Sequence, residues 1–434
     1  MWRSWIAFEP DPSRCFRDVA LIVRDAAMDT NKPLDIIIAG AGIAGLSAAL
    51  ALRRAGHLVR VFERTRALQP IGAAISVWPN GVKVLRALGL GVGMDVAAGT
   101  MNTMSYRDQG GHLMTRFALR PLYESVHERA KPIARTALQR LLLEAVDPAH
   151  VVLGAACVGY SQDADGVTVT LDDGEMHRAD VFVVADGNRS GLRDQVAGVP
   201  VPRRYRGYVN WNGRIPVSRD LAEPDAWEQF VGEGKRVSLM PMGTGGHPGG
   251  RGGAIGEFYF FFDVPMTEAE ADMPAETDPE QHRRALEMHF AGWAPQVKRL
   301  IERLDPETIA RVAIYDTDPV PRMNDGRVVM IGDAAHAMAP DLGQGGCLAM
   351  EDAWLLARAL DAGRHDDLPE AFQIFAQARL PRVRQVIERA RARAALLHGS
   401  DATATQAWYD ELRTESGEGI IAGLHKTAVS GPFG

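Results

Sequence analysis

The chain has 434 residues, 46% hydrophobic and 24% charged, and its 55 acidic against 48 basic side chains leave a formal charge of −7. That length exceeds one compact core and predicts two closely joined domains. The acidic balance argues against a nucleic-acid partner and offers no general attraction to anionic membranes, while three widely spaced cysteines, Cys15, Cys157 and Cys347, exclude a disulfide framework or Cys-rich zinc site.

A reducing, cytoplasmic setting without a structural metal is the expectation. No run reaches the roughly 18 apolar residues of a membrane span. Residues 1–33 carry Asp11, Arg14, Arg17, Asp18, Arg24 and Asp25, which interrupt every apolar run, so they read as a dispensable or disordered extension rather than a signal peptide, with Met28 as the expected start.

The first organised unit is LDIIIA at 34–39, a short β-branched run that enters the turn Gly40-Ala41-Gly42-Ile43-Ala44-Gly45 and then an Ala/Leu-rich helix ending near Gly56. A second strand, HLVRVFE, follows. This is a βαβ unit, and it predicts a parallel sheet. Glycines in this turn permit a tight bend and close backbone approach to a pyrophosphate, with the helix N-terminus favouring its charge. Glu63 ends the second strand, where its carboxylate can accept ribose hydroxyls, and Arg64 stands beside it. Gly40, Gly42, Ala44, Gly45, Glu63 and Arg64 are therefore dinucleotide-binding candidates. Two other glycine clusters, Gly89/Gly91/Gly93 and Gly232-Glu233-Gly234-Lys235, lack the strand-turn-helix context and read as turns.

Further strands are expected at 167–171, 181–185 and 327–331. Between them, from about Tyr205 to Asp263, GYVNWNGRIPV, KRVSLMP and EFYFFFDV predict an antiparallel sheet. The segment 243–256 holds eight glycines and reads as a mobile hairpin connection. Residues 352–398 are helical by composition, and the tail 403–434 has no further strand pattern.

Two later motifs complete a set. Asp186-Gly187-Asn188-Arg189-Ser190 follows the strand VFVVA, and Gly332-Asp333-Ala334-Ala335-His336 follows RVVMI. With the first glycine motif, and in this order, they resemble the class A flavoprotein monooxygenases, the para-hydroxybenzoate hydroxylase family. The resemblance implies an α/β fold: a Rossmann-like FAD-binding domain with a mostly parallel sheet (34–105, 131–204, 312–365), interleaved with a smaller antiparallel-sheet substrate domain (106–130, 205–311) and a C-terminal helical region (366–434). It implies tightly bound, non-covalent FAD. Asp186 and Asp333 join the cofactor set, Asp333 on the ribityl hydroxyls, and Arg135 resembles the family's flavin-facing arginine. Ser76 is expected near the flavin with Gly72, and Cys157 is added to the set. The stretch Gly343, Gln344, Gly345, Gly346 and Cys347 opens a helix whose N–H groups can face the isoalloxazine carbonyl edge. Cys347 stands where many relatives have Asn. His336 reads as structural rather than as a base.

Within that family GAAISVWPNGVK, GYVNWNG, VGEGKRVSLMP and FYFFFDVP look like the bacterial urate-hydroxylating branch. That implies NADH and O2 as co-substrates, urate as substrate and 5-hydroxyisourate as product through a flavin C4a-hydroperoxide. A planar anion rimmed with donors and acceptors needs an aromatic wall, a cation and amides. Asn210, Arg236, Tyr259, Phe260 and Phe261 are the candidate substrate residues, with Arg236 the catalytic one. Alternation along the strand sets Tyr259 and Phe261 on one face and Phe258, Phe260 and Phe262 on the other, so Phe260 is the candidate in tension with its neighbours. A monomer or homodimer without nucleic-acid or membrane partners is expected. A phenolic-acid hydroxylase, a flavin dehydrogenase or oxidase, and a non-enzymatic flavin carrier stay open.

Overall fold

The run Asp35–Ala39 occupies the middle of a six-stranded sheet, buried from Ile36 onward. It pairs in parallel with Leu58–Glu63 on one side and Val181–Val184 on the other, Ile36 standing opposite Val59 and Val181. Val328–Met330 and Val151–Leu153 extend the sheet in parallel, and Asn324–Asp325 closes one edge antiparallel. Near-continuous Ile and Val runs are what burial on both faces demands. This is the α/β architecture expected from the first βαβ unit. These features belong to a computed structural model that describes residues 33–68, 72–243, 256–273, 278–362, 367–399 and 401–433. The N-terminal extension and the greater part of the glycine-rich stretch lie outside the described residues. One expected strand is placed elsewhere: Val167–Leu171 sits between Cys157–Gln162 and Met176–Ala179 in a separate three-stranded antiparallel sheet.

The second large sheet has seven strands in the order Ala310–Thr317, Arg203–Pro216, Glu257–Pro265, Lys235–Met242, Ala226–Gly232, Thr103–Asp108 and Leu113–Ala118. All its pairings are antiparallel except that of Ala226–Gly232 with Thr103–Asp108. It also takes in Thr103–Tyr106 and Ala310–Thr317, residues that straddle the boundaries drawn from sequence. The Gly-Glu-Gly-Lys segment is a tight hairpin turn, Glu233 and Gly234 taking φ of 53° and 70°. Residues 243–256 likewise join two antiparallel neighbours.

Alternation divides the two faces of this sheet. Val209, Trp211, Val237, Leu239, Phe258, Phe260 and Phe262 meet Leu286, Phe290, Val297 and Leu300 in a core of their own, under the helices Glu280–His289 and Pro295–Arg303. Burying each phenylalanine there contributes about 1.5–3 kcal/mol. The opposite face carries Tyr208, Asn210, Asn212, Arg236, Ser238, Tyr259, Phe261 and Asp263. Helices Leu368–Leu397, Ala402–Leu412 and Glu418–Val429 complete the chain and wall off part of that face.

Candidate active site

The turn after the first strand shows why three glycines stand there for three reasons. Gly40 has φ +99°, and a Cβ on it would lie 2.4 Å from the Ala185 carbonyl oxygen. A Cβ on Gly45 would lie 1.9 Å from the Gly40 carbonyl oxygen, so Gly45 seats the helix against the turn. Gly42 has nothing within 4 Å of such a Cβ and begins helix Ile43–Arg54 with no side-chain cap, leaving first-turn N–H groups to meet an anion.

From this turn runs a cleft of about 1430 Å³ lined by Gly40, Gly42, Ala44, Glu63, Arg64, Arg135, Cys157, Asp186, Asp333, Gly345 and Gly346. The structure therefore brings these eleven candidates together. Glu63 accepts from the Ala41 N–H at 2.8 Å and from the Thr65 N–H and hydroxyl at 2.9 Å, which fixes its carboxylate at the cleft wall. Burial pushes the Asp186 carboxyl above its ordinary value. Burial, aided by Asp186 and Asp172, pushes the Cys157 thiol up to about 12, so it is no nucleophile. An uncapped helix start, a fixed carboxylate at the strand end and Asp333 exposed in the cleft wall fit the phosphates, ribose and ribityl chain of FAD.

Five cofactor candidates lie outside the cleft walls. Cys347 is fully buried, its sulfur accepting from the Trp78 N–H at 3.3 Å and packing where any Cβ on Gly81 would come within 2.9 Å. Gly343 takes φ +63° with Trp78 Nε1 only 2.7 Å from a would-be Cβ, so it shapes the loop. Gln344 accepts from Asn80 Nδ2 at 3.0 Å and faces a second cavity. Ile75 lines the cleft in place of its neighbour Ser76, whose hydroxyl is buried without a partner among the described residues. Gly45, as above, also acts behind the wall.

Sequence reasoning missed two residues that organise the cleft. Arg193 donates from Nε to the Ala334 carbonyl at 2.6 Å and from Nη2 to the Asp333 and Asn188 carbonyls at 2.9 Å, stapling the second flavin motif to the third. Its signal was an arginine a few residues beyond Ser190, whose hydroxyl accepts from the Arg193 N–H at 3.0 Å. Gln139 donates to the Ala41 carbonyl at 2.9 Å from the helix that Arg135 begins.

On the free face of the seven-stranded sheet, Arg236 donates from Nε to Asp263 at 2.7 Å and from Nη2 to Asp341 at 3.0 Å. Both carboxylates are fully buried. Burial by itself would lower the guanidinium's pKa, but Asp263 and Asp341 outweigh it and raise it. Nη1 has no partner among the described residues. The guanidinium carbon lies 5.0 Å from the centre of the Phe261 ring, which in turn stands 5.4 Å from that of Tyr259. Burial pushes the Tyr259 phenol up to about 12, with Arg135 opposing. Asn210 donates to Asp263 at 2.7 Å and accepts from Asn212 at 2.8 Å, while Asn212 accepts from the Ala73 N–H at 3.0 Å. Asn210 is thus a link from the cleft-side segment to Arg236. Phe260 is corrected: it is 1% exposed and lies in the core beneath the sheet, because its Cβ points opposite to those of Tyr259 and Phe261.

Asp341 has three side-chain partners. It accepts from Tyr208 at 2.6 Å and from Arg236, and its other contact is His398 at 3.2 Å. Burial would raise its pKa, yet His398, Arg236 and Tyr208 together hold it below the carboxylate range. His336 pairs with buried Asp352 at 2.5 Å, and Asp352 also accepts from the Gly332 N–H at 2.9 Å, which is a structural role.

Residues 33–390 match the family described as FAD binding domain. The FAD-dependent urate hydroxylase of Klebsiella pneumoniae subsp. pneumoniae is 45% identical over 92% of this chain and 99% of its own length, and that of Mycolicibacterium vanbaalenii 42% identical over 92% and 98%. The crystal structure of Klebsiella pneumoniae HpxO complexed with FAD and uric acid superposes with a TM-score of 0.86 at 44% identity, covering 92% of this chain and 98% of that one. With its three flavin motifs gathered on one cleft, the chain belongs to the FAD binding domain family and is an FAD-dependent monooxygenase.

Proposed function

We propose that this protein hydroxylates urate to 5-hydroxyisourate, with NADH and O2 as co-substrates and FAD held without a covalent bond. The observation that carries the reading is the setting of Arg236: a permanently charged fork with one nitrogen that has no partner among the described residues, stacked over Phe261, beside carboxylates that are engaged. Such a site favours a substrate that arrives as an anion and needs no proton removed. A phenolic acid would call for a general base, and the acidic groups here are engaged: Tyr208 donates to Asp341, Asp341 and Asp263 both hold Arg236, and Asp263 also accepts from Asn210.

Bound FAD supplies the redox chemistry, taking reducing equivalents from NADH and activating O2 so that one oxygen atom enters the substrate and the other leaves as water. The chain's own residues bind and orient. Arg236 donates from Nη1 to the urate anion and offsets the charge that shifts across its ring during oxygen transfer. Phe261 and Tyr259 give a flat wall, and Asn210 with Asn212 fixes Asp263 and so the angle of the guanidinium. No proton is assigned to a protein base.

The test follows NADH oxidation by the FAD-loaded protein with and without urate, together with the loss of urate's ultraviolet absorbance. Stimulation matched by urate loss is the expected result. Stimulation without loss makes urate an effector, and no response moves the reading to a phenolic acid such as salicylate.

A further inference from the structure

Residues 75–81 form the bed on which the loop 343–347 rests. A Cβ on Gly346 would come within 2.4 Å of Ile75 Cδ1, and one on Gly343 within 2.7 Å of Trp78 Nε1. The Trp78 N–H meets the Cys347 sulfur, and Gly81 packs against the same sulfur. These are packing or backbone contacts. Asn80 adds a bond between side chains: its Nδ2 donates to Gln344 Oε1 at 3.0 Å and to Glu351 Oε1 at 2.7 Å. A carboxylate only accepts, so the amide nitrogen is the end that faces Glu351. Asn80 is 2% exposed, its Oδ1 has no partner among the described residues, and its own helix, Pro79–Ala87, has no side-chain cap. The amide thus serves a different element from the one that carries it.

That element is helix Gly345–Ala362. Gln344 stands just before its first residue, with its carbonyl accepting from the Leu348 N–H at 2.9 Å, and Glu351 lies seven residues further on. Seven residues are two turns, so one amide grips a single face of the helix at two points about 10 Å apart along the chain. Glu351 is itself held by Arg379 at 2.9 Å and by Arg382 at 2.6 and 2.7 Å, which makes it a fixed reference. Gly345 and Gly346, between the two grips, line the flavin cleft, and Asn80 stands behind the cleft wall. The first N–H groups of a helix have no partner within it and favour negative charge. How they are aimed depends on how the start of the helix is rotated, and the Asn80 grip sets that rotation.

We infer that Asn80 is a positioning residue for the flavin: acting through Gln344, it aims the first N–H groups of helix Gly345–Ala362 into the cleft and so favours the two-electron-reduced form of bound FAD, which is richer in negative charge, over the oxidised form. The inference concerns the cofactor and holds whichever substrate the protein hydroxylates.

The midpoint potential of bound FAD is measured without urate, by anaerobic reduction with dithionite beside a reference dye, together with Tm. Asn80→Leu keeps the size and removes both hydrogen bonds, whereas Gln344→Met removes only the loop arm and leaves Glu351 gripped. Each is expected to shift the reduced-to-oxidised equilibrium about tenfold toward the oxidised form, a fall of about 30 mV. Tm falls as well in Asn80→Leu, because Glu351 loses a donor, and stays near wild type in Gln344→Met. The double variant is expected to show the same fall in potential as either alone, since the two residues act as one unit. A merely structural Asn80 would lower Tm and leave the potential unmoved. An equilibrium within about twofold of wild type in both single variants, or shifts that add in the double variant, would overturn the inference. Should Asn80→Leu not fold, Gln344→Met, which breaks the same hydrogen bond from its other side, decides alone.

Discussion

Two buried ion clusters lie along the same long helix and have opposite characters. In one, Arg379 spends Nε on Asp352 at 2.7 Å, Nη1 on Glu351 at 2.9 Å and Nη2 on the Leu348 carbonyl at 3.3 Å, while Arg382 holds Glu351 through Nε and Nη2 at 2.7 and 2.6 Å. Asn80, His336 and the Gly332 N–H take the remaining carboxylate lone pairs. In the other, Arg236 is tied by two of its nitrogens, the third has no partner among the described residues, and Arg393 lies nearby in the field of Asp341. The closed cluster fastens the loop after the third flavin motif to the C-terminal helix. The open one borders a cavity. Burial and residue type are alike in both, and what differs is how fully the guanidinium groups are engaged: all three nitrogens of Arg379 have partners, and two of those of Arg236 do.

Breaking the closed cluster has the largest expected effect. Arg379→Met strands Asp352 and part of Glu351 in a fully buried setting, and is expected to remove about 3–5 kcal/mol of stability. Chemical denaturation of the FAD-loaded protein measures this; a loss below about 1 kcal/mol would make the cluster dispensable.

Arg236→Gln strikes the open cluster. Urate hydroxylation is expected to fall about 100-fold in kcat/KM while NADH oxidation persists and becomes uncoupled, since the flavin cleft is untouched. Peroxide release against urate loss gives the coupling ratio. Retention of full coupling would remove Arg236 from the substrate.

Acid offers a smaller perturbation of both clusters. Glu351, Asp352 and Asp341 all have carboxyls held below their ordinary range: burial opposes this, and Arg382 with Arg379, His336 with Arg379, and His398 with Arg236 respectively outweigh it. Because the folded values lie below the unfolded ones, their stabilisation is complete above the unfolded pKa and is lost as pH falls through the folded values. Tm should therefore hold level down to about pH 5 and drop below about pH 4. In Arg379→Met that dependence should weaken, because the partner that depresses Glu351 and Asp352 has gone.

The flavin cleft was legible in the sequence because backbone makes it: glycines where a Cβ would collide at Gly40, a carboxylate at the end of a strand in Glu63, and a helix start without a cap at Gly42 are local patterns. The loop 343–347 read less well. The family resemblance marked it as a helix start, but only packing reveals that Cys347 plugs a contact with Trp78 and that Gln344 turns to the second cavity. Least legible was the chamber around Arg236. Asp341 and His398 come from a loop and a helix end more than 100 residues beyond it, and Gln229 and Arg393 join it from different layers. No periodicity encodes such meetings. The parallel pairing of Ala226–Gly232 with Thr103–Asp108 was hidden for the same reason, since their partners are distant in the chain.

Neighbouring phenylalanines give the finest test of which face of the sheet belongs to which task. Phe260 packs 5.9 Å from the Phe262 ring in the core under the sheet, and Gly213 on the adjacent strand leaves room for its ring: a Cβ there would come within 2.7 Å of it. Phe261 lies on the opposite face under the Arg236 guanidinium. Phe260→Leu is thus expected to cost about 1 kcal/mol of stability and leave KM for urate within about twofold of wild type. Phe261→Leu should do the reverse, raising KM severalfold at nearly unchanged stability, because it removes the flat surface that orients cation and ligand. Denaturation midpoints and urate kinetics on the two variants decide it. If Phe260→Leu moves KM as far as Phe261→Leu does, the division of the strand into a core face and a substrate face fails, and the assignment of Arg236, which shares the Phe261 face, fails with it.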